Sequence, residues 1–449
     1  MEKFLKRIRI IAVLMMTLLI IAISFLGLYV NNKGIWENVL PKYNLGMELG
    51  GYKELHFSLD SSEQTKDVYV DDKGNYRGDV LSVDNAVVPE GYKVETRTIA
   101  KNDASKINID NFETSKEIIQ KRLENRDLYE YNIRQDTVTG KIVLEVPDNE
   151  NVDLNISLVA TLGDLTIVDA QNGLILLEDS KLVSVAPYAQ TNENGQYEVY
   201  LQLNYNEEGK EILHDLTKEY ANTDATSDTA KKVQVCLDGQ PMVTTYFGQE
   251  IFTGTVHVPM GDPTLEYNEY LKLYDSVQEV ADIVNEETLP LQYSLTDNIK
   301  IQSSITNDMK TVAVVVFAIF VIILSVYMMI KYKIEGLRQA IFSIGYIAIL
   351  ALMFRYTNVT ITINSLIALI IVIIINYIFS IKFLEKIKKE NIRKIALKES
   401  LKGLYTRIIP IVIVAIIFTF MPAIVINSVG MTLFWGLVLQ LLFSLITLI

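Results

Sequence analysis

Residues 10–30 read IIAVLMMTLLIIAISFLGLYV, without one charged side chain. The run matches the ~20 residues a helix needs to cross a hydrocarbon core. Lys3, Lys6, Arg7 and Arg9 precede it, and basic flanks stay on the cytoplasmic side. A secretory signal peptide also begins with basic residues, but its apolar stretch is roughly 7–15 residues and ends at a small-residue cleavage site. This run is longer and leaves through Phe25-Leu26-Gly27-Leu28-Tyr29, so it reads as an uncleaved anchor.

Five further apolar runs lie toward the C-terminus, at 311–330, 340–354, 362–381, 408–426 and 429–449; the second of these is short and can borrow residues on either side. The loops between them alternate in charge. Lys331, Lys333 and Arg338 follow 311–330, and Lys386, Lys388, Lys389, Arg393, Lys394, Lys398 and Lys402 fall in the basic loop 382–407. The other two loops, 355–360 and Asn427–Ser428, hold one basic residue between them. With a cytoplasmic N-terminus both basic loops face the cytoplasm, and six spans return the C-terminus there. Loop 382–407 also carries Glu385, Glu390 and Glu399, a pattern that suits one helix lying on the cytoplasmic surface against anionic membrane lipid.

Between the first and second runs lies a different kind of chain. Residues 31–310 carry 24 Lys+Arg against 49 Asp+Glu, a net of −25, while the rest of the protein carries a net of +12. The reading is therefore three-part: 1–30 as N-terminus and first span, 31–310 as an acidic extracytoplasmic domain, and 311–449 as a five-helix membrane bundle. An acidic block repels phosphate, which argues against a nucleic-acid partner. Cys236 is the single cysteine and cannot form an internal disulfide, so a hydrophobic core must hold this domain. His56, His214 and His257 stand far apart, so no metal or other cofactor is expected.

Strand-like and helix-like periods alternate in the block, as in an α+β domain. Lys53–Leu59, Lys141–Val146 and Tyr197–Asn204 alternate as strands, and Tyr129–Arg134 pairs with the second of these around Thr139-Gly140. Lys232–Leu237 and Met242–Phe247 flank the turn dipeptide Asp238-Gly239. Helices are expected at Thr114–Arg126, with Thr114 and Glu117 as a capping box, from Glu207 to about Tyr220, and at about Tyr274–Glu286. The polar stretches Ser61–Gly78 and Asn222–Thr229 read as exposed loops. No G-x-S-x-G, G-x-x-x-x-G-K-[ST] or H-E-x-x-H pattern occurs, so the block reads as a binding or mechanical module, not an enzyme.

Short motifs follow this plan in order. Asn44-Leu45-Gly46-Met47-Glu48-Leu49-Gly50-Gly51 resembles the L-G-L-D-L-x-G-G signature of the SecD/SecF family, with Glu48 in the place of the Asp. Ile118–Arg122, Asn132–Pro147, the Leu203–Gly209 junction, Val235-Cys236-Leu237-Asp238-Gly239, Ile251–Gly254 and Thr288-Leu289-Pro290-Leu291 resemble later SecD segments. The resemblance covers nearly the whole chain. It implies a resistance-nodulation-division bundle and an extracytoplasmic domain with ferredoxin-like elements: a base at 31–165 and 262–310 and an inserted head at about 166–261. It also implies a SecF-like partner, the SecYEG channel and unfolded secretory preproteins as substrates.

One departure stands out. Matching Glu385–Glu390 to the family's fourth-span pattern puts its membrane Asp at Ile378 and its Asn at Ser380; the fifth-span Asp falls at Ile413. No Asp, Glu, Lys or His lies in any of the six runs, so this chain offers no carboxylate for a proton relay. Asn364, Asn376, Tyr377 and Ser380 are the polar remnants, and Asn376 and Ser380 share a helix face suited to holding helices together. Two functions follow: a SecD-like accessory subunit of the translocase, coupling or merely scaffolding, or a divergent exporter of lipid or a small molecule.

Overall fold

The computed structural model describes residues 2–32, 35–80, 88–126, 128, 130–148, 152–221, 231–357, 359–390 and 392–446. They form two compact units: Met1–Lys53 with Val146–Asp148 and Lys300–Ile449, and Glu54–Glu145 with Asn149–Ile299. The first unit opens with helix α1 (Glu2–Leu26), a hairpin of β1 (Tyr29–Asn32) and β2 (Ile35–Asn38), and one helical turn, α2 (Met47–Gly50).

Strand β3 (Tyr52–Leu59) then leads into the second unit, where β4 (Glu63–Val70), β5 (Tyr76–Asp79) and β6 (Lys93–Ala100) make a three-stranded sheet in the order β5-β4-β6. This corrects the reading of Ser61–Gly78 as loop. Val68, Tyr69 and Val70 are all buried, and the polar Glu63–Asp67 half of β4 forms the antiparallel ladder with β6 that holds it extended. Asn222–Thr229 lies outside the described residues.

Helix α3 (Ile109–Asn125) follows, then β7 (Asn132–Gln135), β8 (Ile142–Pro147) and α4 (Val152–Ala160). The cap of α3 is Asn108, whose side chain accepts from the Asn111 amide at 2.9 Å. Thr114 is inside the helix, bonding back to the Asp110 carbonyl. Asn caps at least as well as Thr, and starting at Ile109 brings Phe112 into the buried stripe with Ile118, Ile119 and Leu123. In β8 the alternation buries Ile142, Leu144 and Val146, as the two-residue strand period requires.

The remaining elements of this unit are β9 (Leu165–Asp169), β10 (Ile175–Leu177), β11 (Leu182–Thr191), β12 (Tyr197–Tyr205), α5 (Glu207–Tyr220), β13 (Val233–Leu237), β14 (Gln240–Thr245), β15 (Thr255–Pro259), α6 (Tyr267–Val284) and β16 (Tyr293–Ile301). Three sheets complete it, ordered β10-β9-β13-β14, β11-β12-β15 and β16-β3-β8-β7. The first two share one core with α5 and α6, built on Leu165, Val199, Leu201, Leu213, Val235 and Val277. Helix α6 starts seven residues before the expected Tyr274, because Tyr270 and Leu273 pack on that core and continue its apolar face. The third sheet follows the course β3-α3-β7-β8-α4…α6-β16, its last strand beside its first.

The first unit resumes with α7 (Asn307–Tyr356), α8 (Ile363–Glu390), α9 (Arg393–Thr419) and α10 (Ile424–Ile446), all long and apolar enough to cross a membrane; Ile10–Leu26 of α1 is a shorter apolar helix. Lys333 breaks α7 with φ 54° and ψ −128°, so two helices meet there. Loop 382–407 is not one surface helix: its residues belong to the end of α8 and the start of α9. The last turn between helices falls at 420–423, not at Asn427–Ser428, because Pro422 has no amide to continue α9. Asn427 lies in α10, and its side chain caps the Thr419 carbonyl at 2.6 Å.

Candidate functional site

The motif after α1 is a docking element. The Asn44 carbonyl accepts from the Ile361 amide at 2.7 Å and the Gly46 amide donates to the Ile361 carbonyl at 2.9 Å, a short parallel bridge centred on Leu45. The Asn44 side-chain amide donates to Thr360 Oγ1 at 3.1 Å. Glu48 Oε2 accepts from the Ile363 amide at 3.4 Å, which puts a carboxylate at the positive N-terminal end of α8. Gly51 has φ 87°, and a Cβ there would come 2.8 Å from the Ile301 carbonyl oxygen. A side chain at Gly50 would press on the Leu45 carbonyl at 3.1 Å. Asn44, Gly46, Glu48, Gly50 and Gly51 thus work together, clamping the chain beyond α1 to the loop before α8. Thr362 extends the clamp: it and Ser365 cap each other, and its hydroxyl lies 3.0 Å from Ser428 Oγ in α10.

A second convergence lies in the other unit, at the segment joining α4 to β9. The Asp238 carboxylate accepts from the amides of Leu162, Gly163 and Asp164 at 2.7, 2.9 and 3.0 Å, while its own amide donates to the Asp164 carbonyl. Asp238 needs φ 52° to turn this way, and Gly239 completes the turn at φ 72°. The same segment is gripped from behind. Arg122, fully buried, donates to the carbonyls of Leu158, Thr161 and Leu162 at 3.2, 2.6 and 2.7 Å. Burial lowers its pKa to about 10, against the pull of Asp238 and Glu286, so it remains charged at neutral pH. The Leu289 amide donates to the Leu162 carbonyl at 2.9 Å, and Pro290 follows it. Beside the turn a cleft of about 520 Å³ is lined by Lys66, Tyr76, Arg97, Asp164 and Asp238 among others. Burial first, then Asp179, Asp238 and Glu178, push the Asp164 carboxyl up to about 6.

Gly209 and Gly254 belong to neither cluster. Gly209 lies in the first turn of α5, where a Cβ would meet Lys181 and Tyr205, and Gly254 directly precedes β15, where a Cβ would meet the Lys210 side chain. The histidines are also separate: His56 lies beside Glu54, His214 near Glu250 and His257 against the Tyr188 ring. Among the described residues no group of three or more His, Cys, Asp or Glu could hold a metal ion.

In the helices of the first unit, Asn376 and Ser380 are buried and Asn364 is exposed. Ser380 Oγ donates to the Asn376 carbonyl, accepts from Gln339 Nε2 at 2.9 Å and lies 3.2 Å from Ser343 Oγ. Gln339 and Ser343 were not anticipated; a polar residue beside or inside an apolar run was the available signal. Tyr346, which donates to the Gly436 carbonyl, and the Tyr405–Gln440 pair at 2.9 Å were missed in the same way. Ile378 and Ile413 are on outward faces, 42% and 52% exposed.

No family model matches the chain. It is 22% identical over 330 residues to the protein translocase subunit SecD of Acidaminococcus fermentans, covering 73% of this chain and 72% of that one. Among solved structures it resembles SecDF crystallised in a super-membrane-facing form, with TM-score 0.58 and 15% identity over 99% of this chain. The match spans only 56% of that SecDF chain, so the protein corresponds to a little over half of it. A sequence alignment longer than either compact unit, joined to a shared fold over 99% of the chain, makes SecD and SecDF proteins the ones this chain resembles.

Proposed function

We propose that the protein is an accessory subunit of the Sec translocase that helps unfolded preproteins across the cytoplasmic membrane, as a binding and mechanical device and not an enzyme. The observation that carries this reading is the 330-residue similarity to a translocase subunit SecD, an alignment longer than either compact unit. In this reading six spans keep both termini cytoplasmic, with α7 supplying two of them on either side of Lys333. Residues 31–310 lie outside, with a base at 31–165 and 262–310 and a head at about 166–261. The β-α-β-β-α-β course of the sheet β16-β3-β8-β7 supports a ferredoxin-like base. A SecF-like subunit and SecYEG are the proposed partners, and any proton coupling comes from the partner.

The head offers a surface suited to a chain of any sequence. The outward side of β11-β12-β15 carries Tyr188, Tyr200 and His257 in mutual ring contact, with Gln202 and Asn204 beside them. β11 is an edge strand, and Tyr188 on it is exposed. An edge can take an extended peptide through main-chain hydrogen bonds while aromatic faces take its side chains. A photo-crosslinker at Tyr188 is therefore expected to capture secretory precursors during export. Adducts with lipid and none with precursor would reject the translocase role.

A further inference from the structure

The facing ends of α8 and α9 enclose a cleft of about 330 Å³ that the translocase reading leaves without a role. Helix α8 contributes Lys382, Glu385, Lys386 and Lys389, spaced to share one face, and α9 contributes Glu399, Ser400, Gly403 and Arg407. Both carboxylates are already engaged. Glu385 lies 3.7 Å from Lys331 Nζ and 3.5 Å from the Tyr332 hydroxyl, and Glu399 pairs with Lys386. Among the described residues Lys382, Lys389 and Arg407 have no anionic partner.

The floor of the cleft is equally unfinished. Ser400 is 3% exposed, yet among the described residues its hydroxyl has no hydrogen-bond partner. Serine and threonine in helices commonly bond back to the carbonyl four residues earlier, as Thr406 does to Lys402 at 2.8 Å. One turn on, a Cβ at Gly403 would meet nothing within 4 Å, so a ligand can approach the α9 backbone closely. A buried donor without a partner is costly, and three cations around it call for an anion with several acceptor oxygens.

The walls beyond the cleft specify the source of that anion. From Lys382 the same face of α8 continues through Ile378, Ile374 and Ile371, all exposed and apolar. From Arg407 the face of α9 continues to Val414, also exposed. A polar site opening onto an apolar track fits an amphiphile, not a free ion. We propose that this cleft binds the phosphate headgroup of an anionic membrane phospholipid, with Lys382, Lys389 and Arg407 around the phosphate, Ser400 donating to it, and the acyl chains along Ile378, Ile374 and Ile371. The assignment rests on α8 and α9 spanning the membrane and is independent of what the protein exports.

Native mass spectrometry of the purified full chain tests it, after exchange from nanodiscs containing phosphatidylglycerol, phosphatidylcholine or both. The wild type is expected to retain phosphatidylglycerol in preference to phosphatidylcholine, and excess inorganic phosphate does not displace it. The pair Lys389→Gln/Arg407→Gln lowers retention roughly thirtyfold, the scale set by removing two basic contacts at a membrane surface. Ser400→Ala lowers it less, and Arg407→Lys largely preserves it. The pair Lys394→Gln/Lys398→Gln, equal in charge but outside the cleft, leaves retention unchanged. Equal losses in the two paired variants, equal retention of the two lipids, or displacement by inorganic phosphate would each overturn the assignment.

Discussion

Asp238 and Arg122 hold the short segment 161–164 from opposite sides, one through its amides and the other through its carbonyls. A buried guanidinium with carbonyl acceptors is costly to create and more costly to break, because truncation leaves those carbonyls without donors. Gly163 makes the grip possible: it has φ 97°, and a Cβ would come 2.8 Å from the Arg122 guanidinium. Asp164 is the uncomfortable member. Its amide serves Asp238, but its own carboxyl is half-buried near Asp179, Asp238 and Glu178, with its pKa raised from 3.8 to about 6. The linkage has a definite sign. Below pH 3.8 the group is protonated folded or unfolded and costs nothing; between 3.8 and about 6 the unfolded chain gives up its proton first; above about 6 the folded state carries the full penalty. Asp164→Asn is therefore expected to raise the urea midpoint of the full chain at pH 7 and to lose that advantage as the pH falls to about 4. An advantage that grows on acidification would refute this account.

At the scale of elements, local chemistry was legible where it decided the structure. Helix α5 begins at Asn206-Glu207 and ends at Tyr220 as its cap and apolar stripe indicate, and the Asp238-Gly239 hairpin forms where the dipeptide places it. Elements set by tertiary contacts were not legible. Strand β4 is polar along half its length and gains its place from the ladder with β6. Of the two clusters, the sequence supplied Asn44, Gly46, Glu48, Gly50 and Gly51 and the Asp238-Gly239 turn but not their partners, because Asn44 meets Thr360 and Asp238 meets Gly163 only through the fold. The break in α7 illustrates the same limit. Lys333, taken as part of a basic loop, is a single non-helical residue with φ 54°, a region that costs a non-glycine side chain of order 1–3 kcal/mol. Gly336 nearby has no such freedom to change, since a Cβ would lie 1.9 Å from the Met328 carbonyl oxygen. Lys333→Gly should stabilise the full chain against SDS-induced unfolding by about 1 kcal/mol, whereas Gly336→Ala should destabilise it. Equal, small effects at both positions would show that the break is not fixed by backbone geometry.

For the whole molecule the charge split carries the most consequence: an acidic block of net −25 joined to helices whose apolar runs lack Asp, Glu, Lys and His. What replaces the missing charges inside is a set of neutral groups, Gln339, Ser343, Asn376 and Ser380, which bridge α7 and α8. Among the described residues the Asn376 side-chain amide finds no acceptor, and Asn376 is 4% exposed. Such groups can fix one helix against another, each contact contributing of order 0.6 to 2 kcal/mol in a membrane. They cannot bind and release a proton near neutral pH, which a relay requires. Ile378 and Ile413, where the family pattern places carboxylates, face outward and carry only apolar surface. Liposomes holding the purified full chain alone should therefore keep an imposed pH gradient as long as protein-free liposomes do, measured with an entrapped pH dye. Asn376→Leu should change the thermal stability of the chain and leave that decay rate unaltered. A leak in the wild-type chain that Asn376→Leu abolishes, with assembly intact, would make the amide cluster part of a proton path through this chain.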